Sequence, residues 1–208
     1  MRGVVQSDLI KTISYSQDEI LLSITKLYLS GKPFHVDATF SKGVFYKSGV
    51  VSEPMLKFDI NPEIDGVEQA DCRNLPLKNE SVRSIMIDLP FLATTGASLK
   101  KCDGNNLMAQ RFGVYKNEAE LYFLYMDAIS EAYRVLEPNG VFVMKCQDKV
   151  SSGKQYMMHC DIYNWALTAG FKVNDLFVLL AKSRLVAAWQ RNQKHARKFH
   201  SYFWVFTK

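Results

Sequence analysis

Residues 84–92 read S-I-M-I-D-L-P-F-L, a short apolar run that stops at an acid. Ile85, Met86 and Ile87 have no polar residue between them, so a strand built from them has no wet face and belongs in a parallel sheet covered on both sides. Asp88 ends that strand. Asp88, Leu89, Pro90 and Phe91 then leave it together, which puts a carboxylate, a restrained loop and an aromatic ring at the carboxyl end of a central strand, where open α/β sheets hold their ligands. Alone, the tetrapeptide is also what an ordinary strand cap followed by a proline turn looks like, so its surroundings decide.

Upstream, Ser16 followed by Glu19 and then Ile20, Leu21, Ile24, Leu27 and Tyr28 on one face predicts a capped amphipathic helix closing near Gly31. Phe34–Ala38 and Leu56–Ile60 read as strands, the second ending in Asp59. Ala70–Leu77, A-D-C-R-N-L-P-L, leads through the K-N-E-S turn into the central strand. Downstream, 92–117 carries little periodicity and is expected to be a long loop, a lid or a substrate-ordering segment. Glu118–Leu136 has helical spacing, Pro138, Asn139 and Gly140 end it, and Val141–Met144 is a further buried strand. Tyr156–Ala169 reads as a helix with Gly170 as its cap. Phe171–Ala181 and Ser201–Phe206 are the last two strands, with a basic hairpin tip at 182–200 between them.

In this order the segments resemble the class I S-adenosylmethionine-dependent methyltransferases, and in particular the amino-methylating group whose fourth motif is D/N/S-P-P-Y/F. D-L-P-F and L-E-P-N-G-V-F-V-M-K carry the resemblance most specifically, and it extends over roughly 33–208. It implies a Rossmann-like α/β fold: a seven-stranded, mostly parallel sheet whose last strand is antiparallel, with helices on both faces. It implies one methyltransferase domain over 1–208, with an N-terminal helical segment at 1–32. S-adenosylmethionine is the implied cofactor. Asp37, Thr39 and Gly43 fall in its loop, although the family's first motif is richer in glycine. Asp59 is placed to take the two ribose hydroxyls, as a carboxylate accepts two hydrogen bonds at once, and Asp71, with Cys72 beside it, to take the adenine amino group. Asp88 and the carbonyl of Leu89 would accept the hydrogens of an exocyclic amine, aiming its lone pair at the methyl group, and Phe91 would stack on the base. Leucine in place of the group's usual proline is tolerable, because the role needs a carbonyl and Pro90 keeps Leu89 extended. The rRNA adenine dimethyltransferases, which carry N-L-P-Y, show leucine there as well.

Charge supports a nucleic-acid partner. Residues 151–208 hold nine Lys or Arg against Asp161 and Asp175, a net +7, which leaves −2 for the rest of a chain of net charge +5. Arg184, Arg191, Lys194, Arg197 and Lys198 cluster at the hairpin tip with Trp189 and His195, as expected for contact with a polyanion. Cys72, Cys102, Cys146 and Cys160 lie far apart and the four histidines add no ligand spacing, so neither a zinc site nor a disulfide framework is expected. No apolar run approaches the ~18 residues of a membrane span, and the amino terminus lacks the core of a signal peptide. An intracellular, cytoplasmic protein follows as the expectation. DNA adenine N6 is the leading substrate, with cytosine N4 next. An RNA base methyltransferase and a catalytically silent nucleic-acid-binding protein are the alternatives.

Overall fold

The computed structural model describes residues 9–91, 115, 117–151, 153–183 and 194–208. Its strands are β1 (Ile13–Ser14), β2 (Val36–Asp37), β3 (Leu56–Asp59), β4 (Glu68–Gln69), β5 (Val82–Asp88), β6 (Leu136–Cys146), β7 (Lys149–Ser151), β8 (Lys154–Tyr156), β9 (Lys172–Leu180) and β10 (His200–Thr207). The helices among the described residues are α1 (Gln17–Tyr28), α2 (Glu118–Val135) and α3 (Met158–Ala169). The main sheet runs β1-β9-β10-β6-β5-β2-β3-β4, and β7 and β8 form a separate antiparallel hairpin. All neighbours in the main sheet are parallel except β10, which runs antiparallel to both β6 and β9.

Among the described residues the main sheet has eight strands rather than the expected seven. The additional one, β1, is a two-residue edge beside β9 at Val178 and Leu179, too short to leave an alternation in the sequence. β6 also begins earlier than expected. Leu136 caps α2 and already pairs with Val82, and the residues before Val141 are absorbed as an irregularity in the ladder, with Asn139 at φ 65°.

Parity explains why the central strands are apolar throughout. Ile85 and Ile87 on β5, Phe142 and Met144 on β6, and Trp204 and Phe206 on β10 pack against α2 and α3. Met86, Val141, Val143, Phe203 and Val205 point the other way, onto α1 and an aromatic wall of Phe40, Phe45 and Tyr46 from the β2–β3 connection. Successive strand residues face opposite sides, so both layers need apolar side chains. Ser16 caps α1 by accepting from Glu19 N–H, as its sequence predicts. The Glu19 carboxylate, however, takes the Ser14 hydroxyl, which itself accepts Ser16 N–H. No helix among the described residues is long and apolar enough to cross a membrane.

One buried acid ties the 71–77 loop to α2. Glu131, 7% exposed, accepts Leu75 N–H at 2.6 Å and holds the Arg134 guanidinium, which in turn donates to the carbonyls of Leu75 and Leu77. Glu131→Ala leaves these donors short of an acceptor and is expected to cost about 2–3 kcal/mol in urea unfolding, whereas an exposed change such as Lys26→Ala should stay within ~0.5 kcal/mol.

Candidate active site

Strand order reverses between β2 and β5: β3 and β4 extend to one side, β6 and β10 to the other. Open α/β sheets bind ligands in the crevice at such a point. Here a cleft of about 570 Å³ opens at the carboxyl ends of β2, β3, β5 and β6. That volume suits a small-molecule site. Of the residues singled out by sequence, Thr39, Asp59, Asp71, Cys72, Asp88, Leu89, Pro90 and Phe91 all line it.

The D-L-P-F loop is held from two directions. Asp88 N–H donates to the Thr39 hydroxyl at 2.8 Å. From the other side the buried Tyr125 hydroxyl donates to the carbonyls of Leu89 and Pro90, both at 3.3 Å. The Leu89 side chain is itself 4% exposed and belongs to the core under α2, so leucine at this position anchors the loop. A carbonyl has two acceptor positions, and the bond from Tyr125 leaves one.

Asp59 organises the opposite wall, accepting Ser41 N–H on one oxygen and Asn61 N–H on the other, each at 2.9 Å. Asp71 accepts Arg73 N–H and a two-pronged contact from the Arg73 guanidinium, which holds its carboxyl below the usual carboxylate range. Cys72 is nearly buried, and burial pushes its thiol up to about 12, so it offers a neutral, apolar surface.

Asp37 and Gly43 lie behind the cleft rather than along it. Asp37 is 1% exposed and accepts from Thr39 N–H at 2.9 Å and from the Tyr46 hydroxyl at 2.8 Å. Gly43, at φ +64°, makes a turn in which an added Cβ would come within 2.7 Å of the Phe40 ring, and that ring stacks on Tyr46. Both shape the loop from below. Arg184 and Arg191, with Trp189, Cys102 and most of the 92–117 loop, lie outside the described residues. Lys194, Arg197 and Lys198 do not line the cleft but lead directly into His200 and Ser201, which do.

Sequence reasoning assigned no role to Lys145, Gln147, Tyr125 or His200. Lys145 stands opposite Asp88 in the β5–β6 ladder, and its ammonium donates to Asp88 Oδ2 at 3.2 Å. The M-K ending of the family-like segment was visible, but the strand register that brings Lys145 to Asp88 was not. Among the described residues no group of three or more His, Cys, Asp or Glu is arranged to hold a metal ion.

Burial dominates the titration of Asp37, outweighing its hydrogen bonds and pushing its carboxyl up to about 7. The unfolded chain releases this proton near pH 4. Between those values the folded state binds more protons, so the Asp37 contribution to stability is full below about pH 4 and lost as pH rises through 7. Asp37→Asn removes the dependence while keeping an oxygen for Thr39 N–H. Urea unfolding at pH 5 and pH 8 should therefore find the variant gaining on the wild type by on the order of 2 kcal/mol across that interval.

No family model matches the chain, and no curated protein matches it. Solved structures do. The chain spans about half the length of the first three matched, which include a candidate DNA modification methylase of Thermus thermophilus complexed with S-adenosyl-L-methionine. That structure is 16% identical at a TM-score of 0.46, over 67% of this chain and 53% of that one. The [4+2]-cyclase SpnF is 12% identical at a TM-score of 0.56, over 92% of this chain and 81% of the cyclase. The complex of the Haloferax volcanii Trm112 methyltransferase activator with a candidate methyltransferase matches at 13% identity and a TM-score of 0.51, over 85% of this chain and 82% of that one. Identities this low establish architecture, and one architecture serves several chemistries. The protein has the Rossmann-like α/β fold of class I methyltransferases.

Proposed function

We propose that the protein is an S-adenosylmethionine-dependent methyltransferase acting on an exocyclic amine of a nucleobase, with adenine N6 of DNA as the leading substrate and cytosine N4 next. The observation that carries this reading is the meeting of Asp59 and Asp71 with the D-L-P-F loop in one cleft at the strand-order reversal. A cofactor wall and an amine-accepting loop then face each other across about 570 Å³.

The donor set suits the cofactor. Asp59 keeps acceptor capacity beyond its two backbone N–H bonds, since a carboxylate offers about four acceptor sites, and it would take ribose hydroxyls. Asp71, ionised beside Arg73, would accept from the adenine amino group, with Cys72 against the ring. When bound, the cofactor would supply a sulfonium methyl to the amine nitrogen, with the S–C electron pair staying on sulfur and one N–H proton leaving to solvent.

The chain's own contribution is positioning. An exocyclic amine is a poor nucleophile because its lone pair is delocalised into the ring. Asp88 and the Leu89 carbonyl would accept its two hydrogens and turn the lone pair toward the methyl group. Phe91, lining the same cleft, would stack on the base, contributing about 1–3 kcal/mol. Basic residues Lys194, Arg197 and Lys198 adjoin the cleft-lining His200 and would meet phosphates. Leucine at position 89, shared with the N-L-P-Y loop of rRNA dimethyltransferases, supports RNA as the second substrate class.

Tritium transfer from labelled S-adenosylmethionine into unmethylated bacterial DNA and into RNA tests the reading, with Asp88→Ala in parallel. Label is expected in DNA and should fall at least ~100-fold in the variant. Label in RNA alone would move the assignment to RNA. Calorimetric titration of the cofactor completes the test: absence of binding heat and of any thermal shift would leave a silent binding protein.

A further inference from the structure

We propose that Lys145 is a positioning residue for methyl transfer, acting through Asp88 to hold the carboxylate in one orientation toward the amine. The inference rests on the methyltransferase reading above. It starts from register: Asp88 and Lys145 are direct partners across β5 and β6, so the ladder itself sets their spacing. The ammonium donates to Asp88 Oδ2 at 3.2 Å and lines the same cleft. It is also seated over two aromatic faces, 4.8 Å from the Phe45 ring centroid and 5.7 Å from that of Phe203, both rings belonging to the core under α1. A lysine in open solvent follows its counterion about. One resting on two core rings is fixed, and the carboxylate must come to it.

That arrangement has a chemical consequence. A carboxylate at a strand end, next to a loop, has rotational freedom that would spoil the aim of an amine lone pair. A bond to a fixed donor removes it, and a carboxylate, with about four acceptor sites, can take an amino hydrogen as well. An ionised Asp88 only accepts, whereas a protonated one would present a hydrogen to the amine and misdirect it. The pair is a poor candidate for mere stabilisation: at 21% and 31% side-chain exposure it belongs with ion pairs worth about 0–1 kcal/mol.

The test is a kinetic double-mutant cycle on the full chain, with tritium transfer as the readout. Lys145→Met keeps the apolar stem and is expected to lower kcat about 10-fold or more, with KM for the cofactor within about 2-fold and Tm within a few degrees. Lys145→Arg should recover part of the rate. In an Asp88→Asn background, where there is no carboxylate to hold, Lys145→Met should change kcat less than about 2-fold. Losses that multiply, or a raised cofactor KM at unchanged kcat, would overturn the assignment.

A second readout needs no substrate. In carboxyl-carbon NMR of the full chain, Lys145→Met should shift the Asp88 side-chain carboxyl resonance, because the ammonium 3.2 Å from Oδ2 is gone, and an unchanged resonance would overturn the pairing. Among the described residues, the Asp37 carboxyl from the β2 end, the Tyr125 hydroxyl from α2 and the Cys146 thiol from β6 also interact with Asp88, and this substitution alters none of them. Failure of the underlying reading looks different: wild type that transfers no methyl group overturns that reading, whereas wild type that transfers while Lys145→Met is unaffected overturns the role of Lys145 alone.

Discussion

A single hydroxyl joins the two halves of the cleft. Thr39 Oγ1 accepts Asp88 N–H at 2.8 Å and lies 3.4 Å from Asp37 Oδ1, while Thr39 N–H donates to the same Asp37 oxygen. Asp37 is in turn held by Tyr46, whose ring stacks on Phe40. The connection after β2 and the loop after β5 are thus parts of one hydrogen-bonded unit, although 49 residues separate Thr39 from Asp88 in the chain. Burying Asp37 has an electrostatic cost, visible in its raised carboxyl pKa. The return is a fixed spacing between the wall that would bind a cofactor and the loop that would aim a substrate, and a buried polar network of this kind holds its members to one arrangement.

Packing supplies the second constraint. α2 is both the lid of the core and the holder of the D-L-P-F loop, because Tyr125 on its buried face reaches the loop carbonyls and Glu131, farther along, holds Leu75. One helix therefore sets the height of two separate segments of the cleft. The opposite wall depends on α1 and the aromatic turns, through Phe45 beneath Lys145.

What was legible in the sequence was order and chemistry at strand ends. Ile85–Ile87 announced a strand buried on both sides, and the acids that end β3 and β5 marked the carboxyl edge. The basic hairpin between β9 and β10 joined strands of the expected directions. What was not legible depends on register or on a partner distant in sequence. Lys145 meets Asp88 only because β6 aligns residue by residue with β5, and Tyr125 read as one more apolar helix position. Asp37 read as a cofactor-loop acid, but the aromatic turns that bury it are formed by residues whose spacing is neither helical nor alternating. β1 and the start of β6 escaped because two residues carry no period, and because Pro138 and Asn139 are turn formers that the ladder absorbs.

β10 lies in the interior of the sheet, bonded to β6 on one side and β9 on the other, yet it is made of residues 200–207. Synthesis proceeds from the amino terminus at about 5–20 residues per second. Until residues 200–207 leave the ribosome, β6 and β9 each present an unpaired edge next to uncovered apolar side chains such as Phe142, Val143 and Phe177. Such edges template pairing with other chains. The nascent protein therefore passes through a stage in which the strands on either side of β10 each lack a partner, and insertion of β10 between them covers both edges at once.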